Sequence, residues 1–331
     1  MPTHTYRTYE QDTIARGNAF LNKFTKNNLF AKAMSSLTLF SVGSIAKVFM
    51  NMYHKTTVYN KEEFNELIYK SEKDKQPVIT VMNHVSTLDD PLVWGASLPC
   101  STLARPSRMR WTLGAEDVCF KTEGERQFFS YGQTIPVKRF GAGPDQPAVD
   151  AAISLLNQGK WVHAYPEGFV HQPLEPFAGT FRYFRWGISR LILESPKPAL
   201  VIPIYGKGLE KVYPENMKSS ILGHGEFRTP IDIAFGAPLD SARLSDFRGE
   251  WRDALQGSKN GEINGQIKSI RSRVADYIQQ GVVKLKMKYF PSEINFDFDP
   301  RLRDASFWSN QTVVSVKGLT AAEKRKKAGV V

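Results

Sequence analysis

The chain has 331 residues, 41% of them hydrophobic and 12% aromatic, enough to build a substantial core and to exclude global disorder. Lysine and arginine outnumber aspartate and glutamate by 44 to 33, and the formal charge of +11 favours a polyanionic partner: nucleic acid, an anionic membrane surface or a phosphorylated substrate. Cys100 and Cys119 are the only cysteines, too few for a disulfide framework or a cysteine-based zinc site, and no metal site is expected.

Residues 1–60 hold an Asn/Lys-rich stretch and then an uncharged run, AMSSLTLFSVGSIA (33–46), between Lys32 and Lys47. The run falls short of the roughly 18–20 apolar residues of a transmembrane helix. It suits a buried helix, or an interfacial one whose flanking lysines reach headgroup level. It starts too far into the chain for a secretory signal, and Glu10 and Asp12 argue against a mitochondrial presequence. EEFNELIYKS (62–71) predicts a short helix and PVITVMN (77–83) a buried strand. A helix is predicted after STLDD, with Asp90 as its N-cap and Pro91 at its first position.

DQPAVDAAISLLNQGK (145–160) predicts a second helix: Val149, Ala152, Ile153 and Leu156 share a face and Gly159 ends it. WVHAYPEG reads as a strand running into a turn, and FRYFRWGISRLILE (181–194) as an amphipathic helix. In that helix Arg182 and Arg185 are assigned to a solvated basic face, with headgroup contact as the alternative. PALVIPIYG and TPIDIAFGAPL are further strands. Residues 246–290 read as helical, with Ile267, Ile270, Val274, Tyr277 and Ile278 on one face, and AAEKRKKAGVV as a solvated tail. Alternating strands and helices predict an α/β fold, a mixed β-sheet flanked by helices, with an N-terminal membrane-associating helical segment. The expected division is an N-terminal segment at 1–60, a core at 61–245, C-terminal helices at 246–295 and a basic, flexible tail at 296–331.

The stretch VMNHVSTLDDPLVW puts His84 at the carboxyl end of a strand, where α/β sheets present functional groups. With Asp90 committed to the helix, Asp89 is free to turn back and hold one imidazole nitrogen, leaving the other basic. Asn83 and Ser86 can brace the turn. From this stretch alone, a histidine that merely packs a polar turn is the favoured reading. No G-x-S-x-G elbow supplies a serine, so chemistry here would activate the substrate's own nucleophile. Downstream, YPEG carries Glu167 and Gly168 after a strand, and GQTIPVKRFGAG carries Lys138 and Arg139 beside glycines, suited to gripping a phosphate.

The succession H-x-x-x-x-D, G…R, P-E-G and LVIPIYG over about residues 78–238 resembles the glycerolipid acyltransferase superfamily. NHVSTLDDPLVW, MRWTLGAEDVCF, GQTIPVKRFGAGPDQ, WVHAYPEGFV and FRWGISRLILE resemble, within it, the tafazzin family in its fungal form. The resemblance implies His84 as general base oriented by Asp89, Arg139 with Lys138 on a phosphate, and Glu167 with Gly168 shaping the acceptor turn. It implies a transacylase that passes acyl chains from phospholipids such as phosphatidylcholine to lysophospholipids such as lysocardiolipin, with no cofactor and no acyl-CoA. It further implies a peripheral or monotopic place on mitochondrial membranes facing the intermembrane space, and no nucleic-acid partner. An acyl-CoA-dependent lysophospholipid or lysophosphatidate acyltransferase, and a non-catalytic lipid-binding protein, stand as alternatives. Backbone N–H groups near GQTI are candidate oxyanion donors.

Overall fold

The computed structural model describes residues 6–25, 28–139, 143–172, 180–214, 227–258 and 264–291. Two helices come first, α1 (Tyr6–Phe24) and α2 (Leu29–Val48), and α2 continues into a wider helical turn at Phe49–Tyr53. Then follow β1 (Lys55–Tyr59), α3 (Lys61–Asp74), β2 (Val78–Met82), α4 (Asp89–Ser97) and the single turn α5 (Cys100–Leu103). The next elements are β3 (Trp111–Ala115), the turn α6 (Glu116–Cys119), α7 (Glu123–Tyr131), β4 (Thr134–Val137), α8 (Pro147–Asn157) and β5 (Trp161–Ala164). The chain closes with α9 (Ile188–Leu193), β6 (Leu200–Lys207), the turn α10 (Leu209–Val212), β7 (Pro230–Phe235), α11 (Ser241–Gln256) and α12 (Gly265–Tyr289).

The strands form one mixed sheet in the order β1-β7-β6-β2-β5-β3-β4. Five of them, β6, β2, β5, β3 and β4, run parallel, and the direction reverses only between β6 and β7. The residues that leave β2, β5, β3 and β4 at their carboxyl ends therefore gather on one edge of the sheet. Both faces are covered, as parallel strands require. Ile79, Val81, Val162 and Val201 pack on one side with α8, α9, α11 and α12. Val78, Met82, Trp161, Ile202 and Phe235 pack on the other with Phe64 and Ile68 of α3, Val93 and Trp94 of α4, and Leu39 and Ala46 of α2.

Local signals fix several boundaries. Pro147 sits in the first turn of α8, and Gly159 adopts φ +74° just past its end, where a side chain would strike the Lys75 carbonyl at 2.4 Å. Thr122 and Glu125 form a capping box at the start of α7.

The structure corrects five expectations. Helix α4 starts one residue before Asp90, with Leu88 at the N-cap, so Asp90 does not cap it. The helix expected over 181–194 is confined to Ile188–Leu193, because Phe181 to Arg185 run extended along the functional edge. Arg182 is buried there, so that segment presents no solvated basic face. GQTI opens strand β4 at the edge opposite His84, which removes it as a source of oxyanion donors. Finally, the uncharged run lies within a continuous helical stretch, Leu29–Tyr53, whose 25 residues are long and apolar enough to cross a membrane. The tail 296–331 and Phe140, Gly141 and Ala142 of the glycine-containing loop lie outside the described residues.

Candidate active site

Strand β2 ends at Met82, and Asn83 locks its exit by exchanging two hydrogen bonds with Gly206 of β6. Its amide donates to the carbonyl at 2.8 Å and its oxygen accepts the N–H at 2.9 Å. His84 follows, and its ring nitrogen Nδ1 lies 2.9 Å from Oδ2 of fully buried Asp89. The same Asp89 oxygen accepts the backbone N–H groups of Val85 at 2.8 Å and Ser86 at 2.9 Å. Ser86 tightens the turn: its hydroxyl accepts the Leu88 N–H at 3.3 Å and its carbonyl the Asp89 N–H at 3.2 Å. Burial pushes the Asp89 carboxyl up, while His84 and the two N–H groups favour its charged form. A carboxylate on Nδ1 fixes the proton there and leaves Nε2 with a lone pair on a side chain that is 21% exposed.

The imidazole is also held by its face. Tyr165, just beyond β5, stacks on it with ring centroids 4.2 Å apart and planes 23° apart. Beneath Tyr165, fully buried His163 meets it edge-on at 4.4 Å, and Trp94 of α4 meets His163 edge-on at 4.9 Å. The Trp161 indole donates to the Thr80 hydroxyl, which is also hydrogen-bonded to Nδ1 of His163, each at 2.8 Å. Burial lowers the His163 pKa to about 3, so this second histidine is a neutral packing element.

Asp90, displaced from the capping role, takes another. Its carboxylate receives the Arg110 guanidinium, with Nε at 3.1 Å and Nη2 closer, and the Trp94 indole N–H at 2.9 Å. Burial alone would raise its pKa; the Arg110 charge and these bonds bring it below the usual range. Arg110 also donates to the Gly132 carbonyl at 2.8 Å, tying α4 to the segment between α7 and β4.

On the β5 side, Glu167 is buried, and each carboxylate oxygen accepts a backbone N–H, from His84 at 2.9 Å and from Arg182 at 3.0 Å. Burial pushes this carboxyl up to about 8 despite those bonds. Glu167 is thus a strut inside the turn. Gly168 has φ +77°, and a side chain there would collide with the Arg185 guanidinium at 2.6 Å. Phe169 follows, and the guanidinium carbons of Arg139, Arg182 and Arg185 lie 5.0, 5.4 and 4.8 Å from its ring centroid. Arg139, leaving β4, also binds Asp117 beyond β3 at 2.5–3.0 Å. Lys138 is exposed, and its backbone N–H is held by the Gln146 side chain at 2.9 Å.

The edge therefore brings His84, Asp89, Glu167, Gly168 and Arg139 together, with Asn83 and Ser86 as braces. Lys138 and Asp90 are set apart from the imidazole. Sequence reasoning missed Tyr165, Phe169 and Arg110 and misassigned Arg182 and Arg185. Trp94, four residues after Asp90, carried a readable i,i+4 signal.

Comparison with known proteins agrees with this fold. The Acyltransferase family model matches residues 55–207, from β1 to the end of β6. The tafazzin of Saccharomyces cerevisiae is 30% identical over 343 aligned positions, covering 90% of this chain and 88% of that protein. The tafazzin of Drosophila melanogaster is 34% identical over 66% of this chain and 54% of that protein. The N-acylphosphatidylethanolamine synthase of Arabidopsis thaliana is 38% identical over 54% of this chain and 60% of that protein. With the match to the yeast protein running nearly end to end, this chain is an acyltransferase that belongs to the tafazzin family.

Proposed function

We propose that the chain is a CoA-independent phospholipid–lysophospholipid transacylase that remodels cardiolipin on mitochondrial membranes. The observation that carries the chemistry is the His84–Asp89 pair at 2.9 Å, buried on the carboxylate side and open at Nε2. Nε2 takes the proton of a lysophospholipid hydroxyl as that oxygen attacks the ester carbonyl of a donor phospholipid. The tetrahedral intermediate collapses, the acyl chain passes to the acceptor, and the proton on Nε2 goes to the departing glycerol oxygen. The donor leaves as a lysophospholipid. One ester is made for each ester broken, so acyl-CoA is not required. Arg139 is the proposed phosphate ligand.

Access to water-insoluble substrates comes from α2. Its inner face is buried at Ala31, Leu39, Gly43 and Ala46, with Met50 beyond, while Phe30, Leu37, Ile45, Val48 and Met52 are exposed. A helix that packs along α4, α5 and α7 on one side and is apolar on the other suits insertion into a single leaflet rather than a span, despite its length.

The test is acyl transfer from labelled phosphatidylcholine to lysocardiolipin by purified protein without CoA. Transfer is expected, with a loss of roughly 10²–10⁴-fold in His84→Ala and a large loss in Asp89→Asn. Transfer only on addition of acyl-CoA would favour the CoA-dependent rival. Undiminished function in His84→Ala would favour a lipid-binding role. The likeness to the Arabidopsis synthase motivates a parallel assay with phosphatidylethanolamine, whose amine would be the acceptor.

A further inference from the structure

Arg139 leaves β4, whereas Arg182 and Arg185 belong to the extended segment before α9, yet all three guanidinium carbons lie 4.8–5.4 Å from the centre of the Phe169 ring. Four features fix this convergence. Gly168 leaves space that the Arg185 stem fills. The Glu167 carboxylate ties the Arg182 N–H to the His84 N–H. Gln279 of α12 accepts the Phe184 N–H at 3.1 Å and donates to the Arg182 carbonyl at 2.7 Å. The Arg185 N–H donates to the Pro166 carbonyl at 2.8 Å. The segment is thus anchored at the sheet edge beside the general base. Arg185 responds to this setting: burial first, then the charges of Arg182 and Arg139, lower its pKa to about 10.

We propose that Arg182 and Arg185 form a second phosphate subsite beside that of Arg139, so that the pocket recognises an acceptor headgroup carrying two phosphates joined by a glycerol. A single phosphate offers three peripheral oxygens and needs at most two guanidinium forks. With the Asp117 carboxylate on Arg139, the three guanidiniums on this ring carry a net +2, which matches the charge of a lipid with two phosphodiesters, one on Arg139 and one between Arg182 and Arg185. This assignment rests on the transacylase reading above and adds to it the residues that select a diphosphate acceptor over a monophosphate one.

The test has two arms. In the transfer assay, Arg182→Gln and Arg185→Gln should raise KM for lysocardiolipin about tenfold, with kcat and the melting temperature little changed. With lysophosphatidylcholine the same variants should stay within about twofold of wild type, whereas Arg139→Gln should weaken both acceptors. Arg185→Lys, which keeps the charge, should recover part of the lysocardiolipin affinity. An equal loss on both acceptors, or no loss on either, overturns the assignment. The second arm needs no catalysis, so it stands even if the transacylase reading fails. It compares binding to phosphatidylcholine vesicles doped with cardiolipin or with phosphatidylglycerol at matched phosphate charge. Wild type should prefer cardiolipin and the Gln variants should lose that preference. Equal preference in wild type and variants overturns the proposal, and displacement from cardiolipin vesicles by an equal concentration of inorganic phosphate overturns the lipid assignment.

Discussion

At the scale of single residues, Glu167 makes the sharpest claim. It touches both halves of the site through backbone N–H groups, yet burial raises its carboxyl from the usual 4.5 to about 8. A folded-state pKa above the unfolded one means that the native state holds a proton which the unfolded chain releases. Its contribution to stability is therefore full below about pH 4.5 and is lost as pH rises toward about 8, with a slope of at most about 1.4 kcal/mol per pH unit. Glu167→Gln cannot titrate, so its melting temperature should fall less steeply than that of wild type between these limits. Thermal scans of both proteins across that window check this, and parallel slopes would refute it. Asp89, also raised by burial, contributes in the same direction in both proteins and cancels from the comparison. Much of this site was legible because acid–base chemistry needs particular residue types at fixed places: His84, Asp89, Glu167 and Arg139 stood out in short motifs. Tyr165 was not legible, because an aromatic that stacks on an imidazole has the same sequence signature as any core aromatic. Asp90 was misread because Asp before Pro suits an N-cap, and only the fold brings Arg110, twenty positions away, against it.

At the scale of elements, the buried strands β2, β5, β6 and β7 and helix α8 were readable from apolar periodicity, and β1, β3 and β4 were not. Lys55–Tyr59 is too polar and half-exposed for a strand signal, and Trp111–Ala115 is short, with a glycine and a mostly half-buried pattern. The helix expected at 181–194 failed for a physical reason: its first half has a helical spacing of aromatics, but the Arg182 carbonyl and the Arg185 N–H, which an α-helix would use internally, are bonded to Gln279 and to the Pro166 carbonyl. Helix α2 exceeded its expected length because the uncharged run continues past Lys47 into FMNMY. Its two faces can be tested against each other. At Gly95 of α4 an added methyl would meet the Ala46 Cβ at 2.6 Å and the Gly43 carbonyl at 2.8 Å, so Gly95→Ala should cost about 1–3 kcal/mol of stability and shift α2. Ile45 is 71% exposed, so Ile45→Glu should leave unfolding nearly unchanged but weaken vesicle binding about tenfold or more. Denaturant unfolding and vesicle cosedimentation read the two effects. An Ile45→Glu protein that binds vesicles like wild type would remove α2 from the membrane contact.

At the scale of the whole molecule, one buried charge network holds the first and the last described helices, α1 and α12, on the same face of the sheet. Arg190 of α9 bonds Glu194 at 2.5 Å and Asp150 of α8 at 2.7 Å, and Arg271 of α12 bonds Glu194 at 2.8 Å. Helix α1 joins through Arg16 on Asp150 at 2.7 Å and the Tyr9 hydroxyl on Glu194 at 3.3 Å. Arg190, Arg271, Glu194 and Asp150 are almost wholly buried, two charges of each sign, so the set is neutral and its attraction offsets a desolvation cost of several kcal/mol per ion. No periodicity announces such a network, since its members lie on four helices and each looks like an ordinary surface charge in sequence. Removing one charge should be far worse than removing the set. Glu194→Gln leaves Arg190 with Asp150 and leaves buried Arg271 with only half-exposed Asp145 at 3.5 Å, and should cost about 3–5 kcal/mol. Replacing Arg190, Glu194 and Arg271 together by Met, Leu and Leu exchanges ions for packing, leaves Asp150 with Arg16, and should cost less than the single change. Urea unfolding of the three proteins orders them. If Glu194→Gln unfolds at the wild-type midpoint, the network is a by-product of packing.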